Sequence, residues 1–143
     1  MNRQVNGNLW TARKIESTYI LSIKSQASIV DALTDFMLGQ NIRSAIISGI
    51  GILTEVILDF VDPVTKKRIE GRFEGLMEAS EISGYISETQ GSRMLFLNAT
   101  LKNEHTLLAG QILDAKTLEE TEIFLHAPGT EIIRFANEDL SVN

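Results

Sequence analysis

Cysteine is absent from the 143 residues, and histidine and proline occur twice each. Without cysteine there are no disulfides, thiolate metal sites, iron–sulfur clusters or cysteine nucleophiles, and two histidines leave little for an imidazole metal cage or a histidine-dependent triad. No window approaches the roughly 18 consecutive apolar residues of a membrane-spanning helix. Residues 1–8 lack the apolar segment of a signal peptide, so the expected location is cytoplasmic. Excess positive charge is also lacking. Lys and Arg number 13 against 19 Asp and Glu, a formal net charge of -6, which weighs against simple nucleic-acid affinity because that affinity is driven largely by basic side chains displacing counterions. What is present is a folded chain, 43% hydrophobic and 22% charged, of a length that suits one core. No repeat, low-complexity tract or linker divides it. The charge is uneven: residues 1–71 carry a net +1 and residues 72–143 a net -7.

One stretch has helical periodicity. Ile29, Val30, Leu33, Phe36 and Met37 share one face, opposite Asp31, Thr34 and Asp35, and predict a helix over roughly 26–39. Ser25 or Ser28 caps its start, Asp31 sits near the positive end of its dipole, and Gly39 is expected to end it in the left-handed conformation. Strands are expected at 19–23, 44–51, 56–60, 73–86, 94–101, 107–113, 122–125 and 131–135. The run at 44–51 is apolar almost throughout, as in a central strand, and Gly75 and Gly84 mark bulges or close approaches within 73–86. Gly49 and Gly51 lack the continuation of a nucleotide-binding loop and instead permit close strand packing. Trp10 is expected to tie the N-terminal arm to the body. One helix beside about seven strands is an α+β domain, a twisted antiparallel sheet packed around the helix.

The candidate chemistry is sparse. His105 lies in a polar turn and His126 at a strand end, neither with a carboxylate or hydroxyl at triad spacing, so both are expected to be rim residues and no catalytic residue is assigned. Lys66, Lys67, Arg68 and Arg72 form a basic cluster near a hairpin tip, either a solvated turn or a contact for DNA or an acidic partner. No neighbouring aromatic platform strengthens it. Arg72 and Glu74 project to one face of a strand with Phe73 directed inward, forming either a recognition surface or a structural ion pair.

Three motifs in order carry a family resemblance: residues 39–51 with Arg43-Ser44-Ala45 and Ser48-Gly49-Ile50-Gly51, then Gly71-Arg72-Phe73-Glu74-Gly75-Leu76, then residues 95–101 followed by 109–113. From about residue 19 to 135 the chain resembles the PPC domain, the plant and prokaryote conserved domain that follows AT-hooks in plant nuclear proteins. The resemblance implies an N-terminal arm and first strand at 1–18, the PPC-like domain at 19–136, a tail at 137–143, and assembly as a homotrimer. It implies a non-catalytic protein with a DNA-binding or regulatory role, although no Arg-Gly-Arg-Pro hook is present. Where the family carries three histidines suited to a metal, this chain has Phe96, Asn98 and Gln111. A phenyl ring cannot ligate and amide oxygens are poor partners for zinc, so neither metal nor other cofactor is expected. The alternative is a small-molecule-binding protein or weak enzyme with Asn98 and Gln111 in a polar pocket; the simpler reading is that these amides satisfy each other across adjacent strands.

Overall fold

The computed structural model describes residues 3–119 and 121–128. The chain opens with three antiparallel strands, β1 (Arg3–Asn6), β2 (Trp10–Ile15) and β3 (Thr18–Ile23). In β3 strict alternation buries Tyr19, Leu21 and Ile23 on one face, and onto this face packs the helix α1 (Ile29–Gly39), burying Ile29, Ala32, Leu33, Phe36 and Met37. The Ser28 hydroxyl caps the helix by accepting the Asp31 N–H at 3.0 Å. The helix begins later than the periodicity suggests because residues 26–28 are taken up elsewhere: the Gln26 N–H donates to the Thr117 carbonyl at 2.7 Å, the Ala27 carbonyl accepts the Thr117 N–H at 2.9 Å, and Ser28 bridges to Lys116. Its end also differs. Gly39 remains helical, and the left-handed conformation expected there falls to Asn41, at φ 54°. Trp10 anchors the N-terminal strands as expected, its indole N–H donating to Asp35 Oδ2 at 2.8 Å and its ring meeting Phe36 edge-on at 4.9 Å.

The second half of the fold is organised by one strand. The expected strands at 44–51 and 56–60 are a single 17-residue strand, β4 (Ala45–Val61). It is followed by β5 (Arg68–Phe73), β6 (Met77–Thr89), β7 (Ser92–Lys102), β8 (Leu107–Thr117) and β9 (Thr121–His126). The expected strand 73–86 is instead interrupted at 74–76, because β6 pairs with the first half of β4 and β5 with the second. On the opposite edge β9 and β8 divide β4 in the same way. Leu53, at the changeover, faces both Met77 and Thr117. Since β6 pairs with β7 and β7 with β8, strands β4, β6, β7 and β8 close into a small barrel; β9, β3, β2 and β1 extend it and β5 flanks it. Among the described residues the fold is therefore mostly sheet with one short helix, but as a barrel with extra strands rather than seven strands around a helix. The reason is the length of β4, which is bent by a register shift between Thr54 and Ile57 where Glu55 takes φ 50°. The expected strand at 131–135 lies outside the described residues.

The core is continuous from α1 into the barrel, where Leu53, Val56, Leu58, Met77, Ile82 and Leu101 are fully buried. Gly84 is a close approach, as expected: a Cβ there would lie 1.9 Å from the Phe96 carbonyl oxygen of β7. Nothing crowds Gly75, which sits in the break between β5 and β6. Among the described residues no helix is long and apolar enough to cross a membrane.

Candidate binding surface

Residues directly opposite in antiparallel strands share a face, and the register assembles the candidate residues accordingly. Ser48 of β4 lies between Phe124 of β9 and Ser83 of β6; Ser83 faces Asn98 of β7, and Asn98 faces Gln111 of β8. Asn98 and Gln111 are thus neighbours on the outer face of the barrel. No hydrogen bond joins their amides, so the mutual satisfaction expected from sequence does not occur, and both half-buried groups keep donors and acceptors for solvent or ligand. A depression of about 300 Å³ is lined by Glu81, Ser83, Asn98 and Thr100, with Gly110 next to Gln111 on its rim. In the next row His126 and Tyr85 flank Ile46, and Tyr85 faces Phe96, the two rings stacked at 5.3 Å.

The donor set in this region does not fit a metal ion. Phe96 carries no ligand atom and is engaged with Tyr85, and among the described residues no three histidine or carboxylate side chains gather where a metal could sit. The same face also carries exposed apolar side chains, interleaved with Ser48, Glu122 and His126. Ile46, Ile50 and Phe124 are 56%, 61% and 38% exposed, whereas Ala45 and Ile47, on the other face of β4, are buried.

The hairpin joining β4 to β5 carries the basic cluster, and the structure separates its members. Arg68 is paired with Asp59 at 2.9 Å, and Arg72 lies 4.0 Å from Glu70. Lys66 and Lys67 are exposed at the tip. Arg72 and Glu74 line a common cleft of about 160 Å³ with Glu55, Asp114 and Lys116, but Arg72 has its ion partner in Glu70 rather than Glu74. Phe73 is half-buried against Phe60, with ring centres 6.0 Å apart. His105 is exposed, and His126 Nδ1 lies 3.2 Å from the Thr18 hydroxyl, with no carboxylate in contact among the described residues.

A second basic cluster was not apparent from the sequence, because its members are far apart in the chain. Arg43 donates from Nε to Glu88 at 2.9 Å, Arg93 reaches the other oxygen of Glu88 at 3.7 Å, and Arg93 also bonds the Asn41 side chain. The Arg43 hydrogen bond, reinforced by the charges of Arg43 and Arg93 and only partly opposed by desolvation, holds the Glu88 carboxyl below its ordinary range.

The profile of the Plants and Prokaryotes Conserved (PCC) domain matches residues 11–127. Among solved structures, a protein of Bacteroides thetaiotaomicron described as a "putative DNA binding protein" is 32% identical, with 87% of this chain and 88% of that one covered and a TM-score of 0.78. A PPC protein of Pyrococcus horikoshii is 21% identical over 90% of this chain and 89% of its own, with a TM-score of 0.69. A metal-containing protein of Archaeoglobus fulgidus is 18% identical over 82% and 84%, with a TM-score of 0.70. The last two likenesses concern the fold. None of the curated protein sequences matches the chain.

Proposed function

Because the chain belongs to the Plants and Prokaryotes Conserved domain family, we propose that it is a non-catalytic homotrimer with a regulatory role exercised through binding, DNA being the candidate partner. The observation that carries this reading is the apolar outer face, where Ile46, Ile50 and Phe124 stand exposed on adjacent strands. Exposed apolar side chains such as these, with Phe124 diagonal to both isoleucines, are stabilised by burial against another protein surface. Away from that face, the β4–β5 hairpin carries Lys66 and Lys67 exposed at its tip, where they can meet a phosphate backbone. Arg68 and Arg72 contribute less, being compensated by Asp59 and Glu70. Because trimerisation also triples the net charge of -6, attraction to generic duplex DNA is weak and salt-sensitive.

Light scattering tests the assembly and should give about three times 15.9 kDa; a monomer at micromolar concentration would refute it. Gel-shift titrations at two salt concentrations test the partner. Poor binding at physiological salt, removed by Lys67→Glu with Arg68→Glu and unaffected by Asn98→Ala, is the expected result. Tight binding untouched by the charge reversals would refute the hairpin as the contact.

One observation favours a second reading, in which the protein binds a small organic molecule or acts weakly on it. Asn98 lines a depression and faces Gln111 across the β7–β8 pair without a hydrogen bond between the amides, and amides of this kind can both donate to and accept from a polar ligand. A metabolite that raises the melting temperature of the wild type but not of Asn98→Ala would establish it.

A further inference from the structure

The edge of a sheet exposes a row of unpaired backbone N–H and C=O groups, which folded proteins guard with proline, lysine, bulges or a covering element. Among the described residues β5 is such an edge, pairing with the second half of β4 on one side and with no strand on the other. Proline and lysine are both absent from residues 68–74. Alternate residues of a strand share a face, so Arg68, Glu70, Arg72 and, just past the strand end, Glu74 form a row of exposed charges that alternate in sign. The other face carries Ile69, Gly71 and Phe73, with Ile69 41% exposed. A row of one sign would repel a second copy of itself. This row does so only in the wrong register. Directly opposite residues of an antiparallel pair share a face, and when two copies of β5 meet with Gly71 on the two-fold axis, all of residues 68–74 overlap. Arg68 then faces the partner's Glu74, Glu70 faces the partner's Arg72, and Ile69 faces the partner's Phe73. Moving the axis to Glu70 sets Arg68 against the partner's Arg72, and moving it to Arg72 sets Glu70 against the partner's Glu74. The contacts within one chain leave these charges available: Arg72 lies 4.0 Å from Glu70 with both side chains more than half exposed, and Glu74 has no cation partner among the described residues. Gly71 itself is demanded inside the chain, where a Cβ would lie 2.8 Å from Phe60 and 2.9 Å from Phe73.

We propose that β5 pairs edge to edge with the β5 of a second copy of this chain, antiparallel and with Gly71 on the two-fold axis. Backbone hydrogen bonds along the edge supply the attraction, and the alternating charges select the register. The contact is isologous and closes on two copies. It lies along the second half of β4, away from Ile46, Ile50 and Phe124, so it doubles whichever species the outer face forms and does not depend on that face joining subunits. A contact of seven residues a side is well below the roughly 800 Å² per partner of a standard interface. Pairing is therefore reversible, with a Kd on the order of 0.1–1 mM.

Sedimentation equilibrium of the full chain over a concentration series reaching about 1 mM tests the proposal, the mass rising towards twice its value in dilute solution. Glu70→Arg sets cation against cation at the central positions and Arg72→Glu sets anion against anion, so each variant alone should pair about tenfold more weakly or worse. An equimolar mixture of the two should double again, because every opposed pair is then of unlike charge. The double variant Glu70→Arg with Arg72→Glu keeps unlike charges opposed and should pair as the wild type does. Both side chains are exposed, and circular dichroism melts of each variant check that the fold is kept. No doubling of the wild type, doubling that survives both single reversals, or a mixture that fails to recover would overturn the pairing. Protection of the β5 amides from hydrogen exchange that does not change with concentration would also overturn it, since the edge would then be covered within the dilute species.

Discussion

Single positions divide sharply by what surrounds them. A methyl group at Gly84 would meet the Phe96 carbonyl at 1.9 Å, a backbone atom fixed by the β6–β7 ladder, whereas one at Gly39 would meet nothing within 4 Å. Gly84→Ala should therefore cost about 3 kcal/mol or more, and Gly39→Ala should stabilise by about 0.4–1 kcal/mol by restricting the unfolded chain; urea unfolding measures both. Glu88 gives a pH-dependent case. Its folded-state pKa is lowered by Arg43 and then Arg93, so its contribution is complete above the ordinary glutamate value and is lost as the pH falls through the lowered one. Glu88→Gln should thus be less stable than the wild type at neutral pH, and the difference should close on acidification below the usual carboxylate range. A difference independent of pH would place the effect in packing instead of charge.

At the scale of elements, the join between α1 and β8 is the most exposed to test. Ser28 caps the helix, and its hydroxyl donates to Asp114 Oδ1 at 2.7 Å. Ser28→Ala should cost about 1–2 kcal/mol in a denaturant titration, from loss of both the cap and a partner for a part-buried carboxylate. The helix itself was legible in the sequence because apolar spacing is a local property, as was a strand at 19–23. The continuity of β4 was not, because an apolar run does not say whether one partner or two will share each of its edges. Nor was the break at 74–76, which is set by β4 and not by its own residues. The proximity of Asn98 and Gln111 was reached through family resemblance and is met in the β7–β8 register. Their lack of a mutual hydrogen bond depends on side-chain geometry that no residue pattern encodes.

For the whole molecule the outer face is decisive. If it joins subunits, Ile50→Lys with Phe124→Lys should convert the assembly to monomers in sedimentation while leaving far-ultraviolet dichroism unchanged, because both side chains already face solvent within one chain. A variant that stays assembled would move the interface elsewhere. The length of β4 has a further consequence in time. All four strands paired with it, β5, β6, β8 and β9, follow it in the chain, so during synthesis it leaves the ribosome before any of them. Contacts so distant in sequence make folding slow, and an unpaired apolar strand invites intermolecular association while it waits. Nascent chains ending before Thr121 should therefore lack protected β4 amides and be held by chaperones, with protection appearing only after His126 has emerged from the exit tunnel.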